Sequence, residues 1–385
     1  MTDRTQAFRT GTFIGRVWRP ECAGPSVVVV RDGGVQDITC REIATMRDLL
    51  EVDDPLGLLS SLTGEDLGKV DDILSASIEA AGDTKRLHLL APIDLQAVKA
   101  CGVTFARSMI ERVIEERAAG NPDLALKIRE KVVAIIGDSL RNLKAGSEQA
   151  AAVKAALIEE GVWSQYLEVG IGPDAEVFSK AQPLSSVGYG ADVGLHPVSR
   201  WNNPEPEIVL AIDSFGRVKG ATLGNDVNLR DVEGRSALLL GKAKDNNASC
   251  AIGPFIRLFD AGYTMETVRS SDLDLHVKGE DGYVLAGRST MKEISRDPLD
   301  LVAQTIGRHH QYPDGLVLFM GTLFAPVEDR DVPGQGFTHK IGDIVTISNP
   351  ELGELTNRVR LSTECPPWSF GTAQLMRNLA SRGLL

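Results

Sequence analysis

Glu205 and Glu207 stand one residue apart in Asn203-Pro204-Glu205-Pro206-Glu207, at the head of an apolar run, Ile208 to Ile212. That run is short, rich in β-branched residues and flanked by turn residues, which predicts a strand. Residues two apart on a strand face the same way, so the two carboxylates point together. Asp226 follows nineteen residues after Glu207, in Gly224-Asn225-Asp226 behind a second strand-like stretch, and Lys244 follows eighteen residues after that. Like charges side by side are costly to bury unless a cation or a shared proton offsets them. Three carboxylates suit a hard divalent cation, Mg²⁺ or Mn²⁺. An isolated E-x-E pair is more often solvated surface; the adjoining apolar strand and the third acid are what favour a site here. Lys244 has two readings as well, a solvated lysine at a helix end or an amine that stabilises an enolate or relays a proton. Gly321-Thr322, after the apolar run Leu316 to Met320, offers a backbone N–H and a hydroxyl to a carboxylate.

The rest of the composition narrows the function classes. A length of 385 residues fits one large domain with a smaller one. With 43% hydrophobic and 24% charged residues the chain is an ordinary globular sequence. A net charge of −12 argues against a nucleic-acid or anionic-membrane partner. No apolar run has the length of a membrane span, and the first residues lack the apolar core of a signal peptide. The five cysteines are scattered and lack C-x-x-C spacing, so neither a disulfide framework nor a zinc site is expected, and a cytoplasmic location fits. G-x-S-x-G, P-loop, H-E-x-x-H and G-x-G-x-x-G motifs are all absent.

These residues need elements to hold them. Thr12–Trp18 and Ser26–Arg31 read as strands, with an Asp32-Gly33-Gly34 turn leading into Val35–Thr39. Helices are expected around Ile43–Leu50 and Gly64–Ala81. This first block, residues 1–86, reads as a small α+β domain without chemistry of its own. Residues 87–385 form the second unit, with a helical insert at about 104–160 (Ser108–Ala118, Asp123–Ile136 and Ser147–Glu160). After Trp163 short strands dominate, among them Leu167–Ile171, Ala175–Ser179, Glu207–Ile212 and Val218–Leu223. Helices are placed at Val232–Lys242, Pro298–His309 and Gly371–Arg382. Many short strands with few helices predict an α+β fold that is mainly β, with a partly closed sheet.

The order E-P-E-I-V-L, G-N-D-V-N-L-R-D, K-D-N-N-A-S-C-A-I-G-P, a G-T after an apolar strand, K-I-G-D-I-V-T-I and L-G-E-L-T-N-R-V resembles the fumarylacetoacetate hydrolase superfamily over roughly residues 90–360. The resemblance implies a twisted, partly closed β-roll with a helical lid. It also implies a divalent metal on Glu205, Glu207 and Asp226, a functional lysine at Lys244 and a carboxylate-binding Thr322 beside Gly321. Val177-Phe178-Ser179-Lys180 resembles an F-x-K element near the same site and brings in Lys180. Hydrolytic members carry a His–Glu pair three residues apart on the lid; here those positions are Ser108 and Glu111. Further stretches (W-S-Q-Y-L-E-V-G-I-G-P-D-A-E-V-F, N-N-P-E-P-E, E-G-R-S-A-L-L-L, H-Q-Y-P-D-G) are similar to the branch that dehydrates 2-keto-3-deoxy-pentonates. That branch implies a small 2-keto sugar acid as substrate, Glu111 as acid/base, Ser108 as the group positioning water or the leaving hydroxyl, and a homodimer or homotetramer. The alternative is C–C hydrolysis of a 2,4-diketo acid, which the loss of the histidine disfavours.

Overall fold

The structure is a computed structural model and describes residues 4–125, 127–128, 143–159, 161, 163–324, 328–331 and 336–385. Its strands are β1 (Phe13–Arg19), β2 (Gly24–Arg31), β3 (Gly34–Asp37), β4 (Glu65–Lys69), β5 (His88–Leu90), β6 (Ala97–Gly102), β7 (Glu176–Ala181) and β8 (Asp192–Leu195). They continue with β9 (Pro206–Ile212), β10 (Val218–Asp226), β11 (Cys250–Leu258), β12 (Asp272–Lys278), β13 (Val284–Thr290), β14 (Leu316–Phe319), β15 (Ile344–Asn349) and β16 (Gly353–Leu361). One mixed sheet runs β4-β3-β2-β1-β11-β10-β9-β14-β6-β7, with β5 paired to β1. A second runs β13-β12-β15-β16-β8. The architecture is thus mainly β with helices packed around it, and among the described residues neither sheet closes into a barrel.

Both faces of the large sheet are covered, so its central strands read as continuous apolar runs. Ile208, Leu210 and Ile212 pack with Leu275, Val277, Ile347 and Leu355 of the second sheet. Val209 and Ala211 face the other way, among Ile14, Val29, Phe319 and the helix residues Met46, Leu49 and Leu50. That two-sided burial is the strand alternation of period two made visible. The segment of residues 1–86 supplies β1–β4. It joins the large sheet through β1 and β11, with Phe13 opposite Arg257 and Ile14 opposite Ile256. Asp32 and Gly33 both have positive φ, +48° and +74°, as a two-residue turn between β2 and β3 demands.

Several expected elements differ. Gly64–Ala81 is not one helix: Glu65–Lys69 pairs with β3 before the helix Val70–Ala80 begins, because an open sheet edge takes up the residues whose composition alone favoured a helix. Leu167–Ile171 is not a strand but part of the helix Gln165–Ile171. Ser164 caps it by accepting from the Tyr166 N–H at 3.2 Å, and Leu167 and Ile171 lie four apart in a common core with Met109 and Val113. Val232–Lys242 breaks into the helix Arg230–Glu233, a turn at Ala237–Leu239 and the helix Leu240–Lys244, with Gly234 at the first break. Of the helical insert, Ala106–Arg117 and Glu148–Glu159 are helices, while most of Asp123–Ile136 lies outside the described residues.

Gly224 lies opposite Glu207 in the β9–β10 register, and a Cβ there would sit 2.3 Å from Phe319 and 2.5 Å from Val209. Gly224→Ala overpacks this layer and is expected to cost about 1–3 kcal/mol, read as a lower urea midpoint at unchanged slope. A variant as stable as wild type would show that the layer has slack.

Candidate active site

The β9–β10 pair builds the centre of the site. Glu205, Glu207, Val209 and Ala211 alternate onto one face, and Gly224 and Asp226 reach that same face from β10. The Asp226 N–H donates to the Glu205 carbonyl at 3.0 Å, which fixes the register where the acids meet. Glu205, Glu207 and Asp226 are all buried, and one oxygen from each lies within 4.8 Å of the others.

Cations and amides hold this cluster. Lys244 Nζ is 2.5 Å from Glu205 Oε2 and 3.2 Å from Asp226 Oδ2. Lys180 Nζ is 2.9 Å from Asp226 Oδ1. It also donates to the carbonyls of Lys244 and Val227 and contacts Ser249 Oγ. With its three donors taken and its side chain wholly buried, Lys180 orients Asp226. The Gly321 N–H is likewise engaged, donating to Glu207 Oε2 at 2.6 Å, and Gly321 lines the cavity beside Thr322. Its φ of +84° brings β14's exit loop against Thr104, where a Cβ would lie 2.1 Å from the hydroxyl.

The helix Ala106–Arg117 covers the cluster. Met109, Val113 and Ile114 bury its apolar stripe against Leu157, Tyr166 and Leu167. The opposite stripe carries Ser108, Glu111, Arg112 and Glu115 inward. Ser108 Oγ donates to the Phe105 carbonyl at 2.8 Å, and Glu111 Oε2 is 3.5 Å from Arg230. Arg112 was not expected at the site, yet it lies 2.6 Å from Glu205 Oε1, 2.6 Å from Glu115 and 3.0 Å from Glu233. Arg230 lies 2.7 Å from Glu115 and stacks 4.2 Å over the Trp201 ring. Two small adjoining cavities open here, about 20 Å³ each. Ser108, Arg112, Glu205 and Thr322 line both, Glu111 lines the outer one, and Glu176, Glu207, Asp226 and Lys244 line the inner one. Thr322 Oγ1 accepts from the Phe324 N–H at 3.1 Å.

The charge balance tests the fit for a divalent cation. Glu111, Glu115, Glu176, Glu205, Glu207, Asp226 and Glu233 are seven carboxylates; Arg112, Lys180, Arg230 and Lys244 are four cations. The acids outnumber the cations, and the excess negative charge lies beside three oxygen donors of the hard type that Mg²⁺ and Mn²⁺ prefer. Titration follows the same deficit. Burial, then Asp226 and Glu205, pushes the Glu207 carboxyl well up, and burial raises Glu205 despite Lys244 and Arg112. Burial works against ionised Asp226, but Lys180 and Lys244 outweigh it and hold Asp226 low. Burial also opposes the Lys244 charge, and Asp226 and Glu205 override it. The residues present therefore fit the ion.

Glu115, Arg112, Glu176, Arg230 and Glu233 are the residues that sequence reading missed. Their signal lay in spacing: Glu111 and Glu115 sit one helical turn apart, and Glu176 immediately precedes the Val177-Phe178-Ser179-Lys180 segment.

Residues 175–360 match the Fumarylacetoacetate (FAA) hydrolase C-terminal family. Over 185 residues the chain is 30% identical to 2-dehydro-3-deoxy-D-arabinonate dehydratase of Saccharolobus solfataricus, covering 48% of this chain and 58% of that protein. Over 203 residues it is 32% identical to a probable 2-keto-3-deoxyxylonate dehydratase of Haloferax volcanii, covering 52% and 65%. The matched segments thus span less than two thirds of either relative. Among solved structures, the apo form of 2-keto-3-deoxy-D-arabinonate dehydratase superposes with a TM-score of 0.63 at 20% identity over 91% of this chain and 99% of that one. The same enzyme complexed with magnesium and 2,5-dioxopentanoate gives 0.62 at 21% over the same shares. At this identity the likeness establishes a shared fold.

Burial, then the Glu233 charge, raises the Glu176 carboxyl from 4.5 to about 7. A carboxyl raised in the folded state favours folding below its unfolded value, and that contribution is lost as pH climbs through the folded value. Metal-free protein is expected to lose on the order of 3 kcal/mol through this group between about pH 4.5 and 8. Glu176→Gln flattens that slope in urea titrations, and an unchanged slope would place the titrating group elsewhere.

The segment that matches the fumarylacetoacetate hydrolase C-terminal family, residues 175–360, contains Lys180, Glu205, Glu207, Asp226, Lys244 and Thr322.

Proposed function

We propose that this chain is a divalent-metal-dependent hydro-lyase. It removes water from a 2-keto-3-deoxy-pentonate, derived from D-xylonate or D-arabinonate, and yields 2-oxoglutarate semialdehyde, the compound also named 2,5-dioxopentanoate. The observation that carries this reading is the buried triad Glu205, Glu207 and Asp226 with Lys244 against it and Ser108 and Thr322 on its cavity wall. The names of the two relatives, and the ligand of the solved neighbour, support the same substrate class.

Held by Glu205, Glu207 and Asp226, Mg²⁺ or Mn²⁺ would supply Lewis-acid polarisation of the 2-keto acid. Thr322 holds the substrate carboxylate through its hydroxyl, and Ser108 positions the leaving C4 hydroxyl. Lys244, kept charged by the acids around it, stabilises negative charge on the keto oxygen. The elimination needs two proton movements, one off C3 and one onto the C4 oxygen as its bond to carbon breaks. Glu111 is the acid/base on the covering helix, and Glu176 is a second carboxyl placed to carry the other proton. A proton shift from C5 then moves the double bond and leaves the aldehyde at C5, so that water is the only atom loss. C–C hydrolysis of a 2,4-diketo acid would need a base for water where Ser108 stands, and a serine whose hydroxyl donates to Phe105 does not provide one.

The helix Ala106–Arg117 acts as the lid of the site, residues 1–86 serve as an N-terminal domain, and the protein works in the cytoplasm as a homodimer or homotetramer. Among the described residues, no helix is long and apolar enough to cross a membrane.

Incubation with 2-keto-3-deoxy-D-xylonate and Mg²⁺ is expected to form an aldehyde, read through an NAD(P)-dependent semialdehyde dehydrogenase. EDTA stops it and Mg²⁺ restores it; lack of product from every pentonate tried would sink the dehydratase reading. Glu111→Gln and Glu176→Gln should each lower kcat by about 10²–10⁴ while leaving Mg²⁺ binding in place. Full turnover in either variant removes that residue from the proton transfers.

A further inference from the structure

The site already holds a cation of its own. Arg112 reaches from the helix Ala106–Arg117 to Glu205 with one guanidinium nitrogen, Nη2. The other, Nη1, is shared between Glu115 and Glu233, and only 13% of the side chain is exposed. Glu115 is fixed in turn by Arg230, which stacks on Trp201. Arg112 therefore has a retained arm, on two carboxylates outside the triad, and a single arm on the triad. The cavity between helix and triad is about 20 Å³, room for roughly one water and no five-carbon acid.

We propose that Arg112 is a displaceable counter-ion. It neutralises Glu205 while the triad lacks a divalent cation and gives Glu205 up when one binds, which removes the tie between the helix Ala106–Arg117 and the triad while the ties to Glu233 and Arg230 stay. This rests on the metal reading above. Two physical points drive it. Both Glu205 oxygens are already engaged, Oε1 by Arg112 Nη2 and Oε2 by Lys244 Nζ, so an ion that binds Glu205 competes with these cations for its charge. A divalent ion on the triad also repels the nearby guanidinium, and Glu115 and Glu233 keep a seat for it that needs no new desolvation. Arg112 is thus a positioning residue that acts through Glu205.

The test is calorimetric titration of Mg²⁺ and of Mn²⁺ into metal-stripped protein without substrate. Arg112→Met is expected to bind either ion at least about tenfold more tightly than wild type, the order given by removing one positive charge near a divalent ion even with water's screening. Arg112→Lys, which keeps the charge, is expected to stay near wild type. A purely structural Arg112 predicts the reverse, weaker binding in Arg112→Met because Glu205 loses its alignment; equal or weaker binding overturns the proposal. Should Arg112→Met fail to fold, Arg112→Gln, which keeps a donor for Glu115 and Glu233 without the charge, reads the same quantity. Amide exchange adds a second readout: Mg²⁺ is expected to speed exchange in residues 106–117 of wild type, and slower or unchanged exchange overturns the release of Arg112 from Glu205. Absence of any metal binding by wild type would instead remove the metal reading itself, together with this proposal.

Discussion

Like-charged carboxylates held together out of water are the constraint on which the rest depends. Glu205, Glu207 and Asp226 lie within 4.8 Å of one another in a buried centre, and no backbone arrangement makes that favourable by itself. Everything around them offsets the repulsion. Lys180 and Lys244 enter from β7 and from the end of a short helix, Gly321 donates an amide from the β14 exit, and Arg112 comes from the covering helix. Breaking any one of these leaves a buried charge short of a partner, and such losses are among the costliest a fold can meet. The surplus of acids over cations, with three oxygen donors converging, is what fits the centre to a divalent ion.

The sheet turns this electrostatic demand into a fixed geometry. β9 and β10 are buried on both faces, so their register cannot slip by one residue without moving acids into a hydrocarbon layer and apolar residues into the site. Gly224 leaves the space opposite Glu207 free of a side chain. β14 and β6 run parallel beside β9, and their exits deliver Thr322 and the start of the covering helix to the same end of the sheet. The site thus sits where several strand ends converge, with rigid strands supplying the acids and loops and helices supplying the groups proposed to handle substrate.

The fold was legible in part from the chain alone. The alternating and β-branched runs placed the hairpin β1–β2, the turn at Asp32-Gly33 and the β9–β10 pair, because local backbone preference and burial agree there. Leu167–Ile171 and Gly64–Ala81 were misplaced where they disagree: a capped helix packing on Met109 won over a short apolar run, and an open edge at β3 drew Glu65–Lys69 into a strand. Glu205, Glu207, Asp226 and Lys244 were found from type and spacing, since carboxylates two apart at the head of a buried strand need a cation to offset their burial. That the donors of Lys180 and Gly321 are engaged on Asp226 and Glu207 is visible only in the structure.

The family resemblance implies that Ser108 stands where a histidine would; by itself the amino-acid order determined the three carboxylates and the strand that presents them. Those are properties of residue type and short spacing, and they survive without coordinates. The tertiary structure alone decided that Arg112, Glu115, Glu176, Arg230 and Glu233 gather round the same centre from segments more than a hundred residues apart. Charges on separate elements are ordinary surface residues in a sequence. They become a site only when packing removes the water between them, because the strength of their coupling is set by distance and local dielectric, and neither is written in the order of the residues.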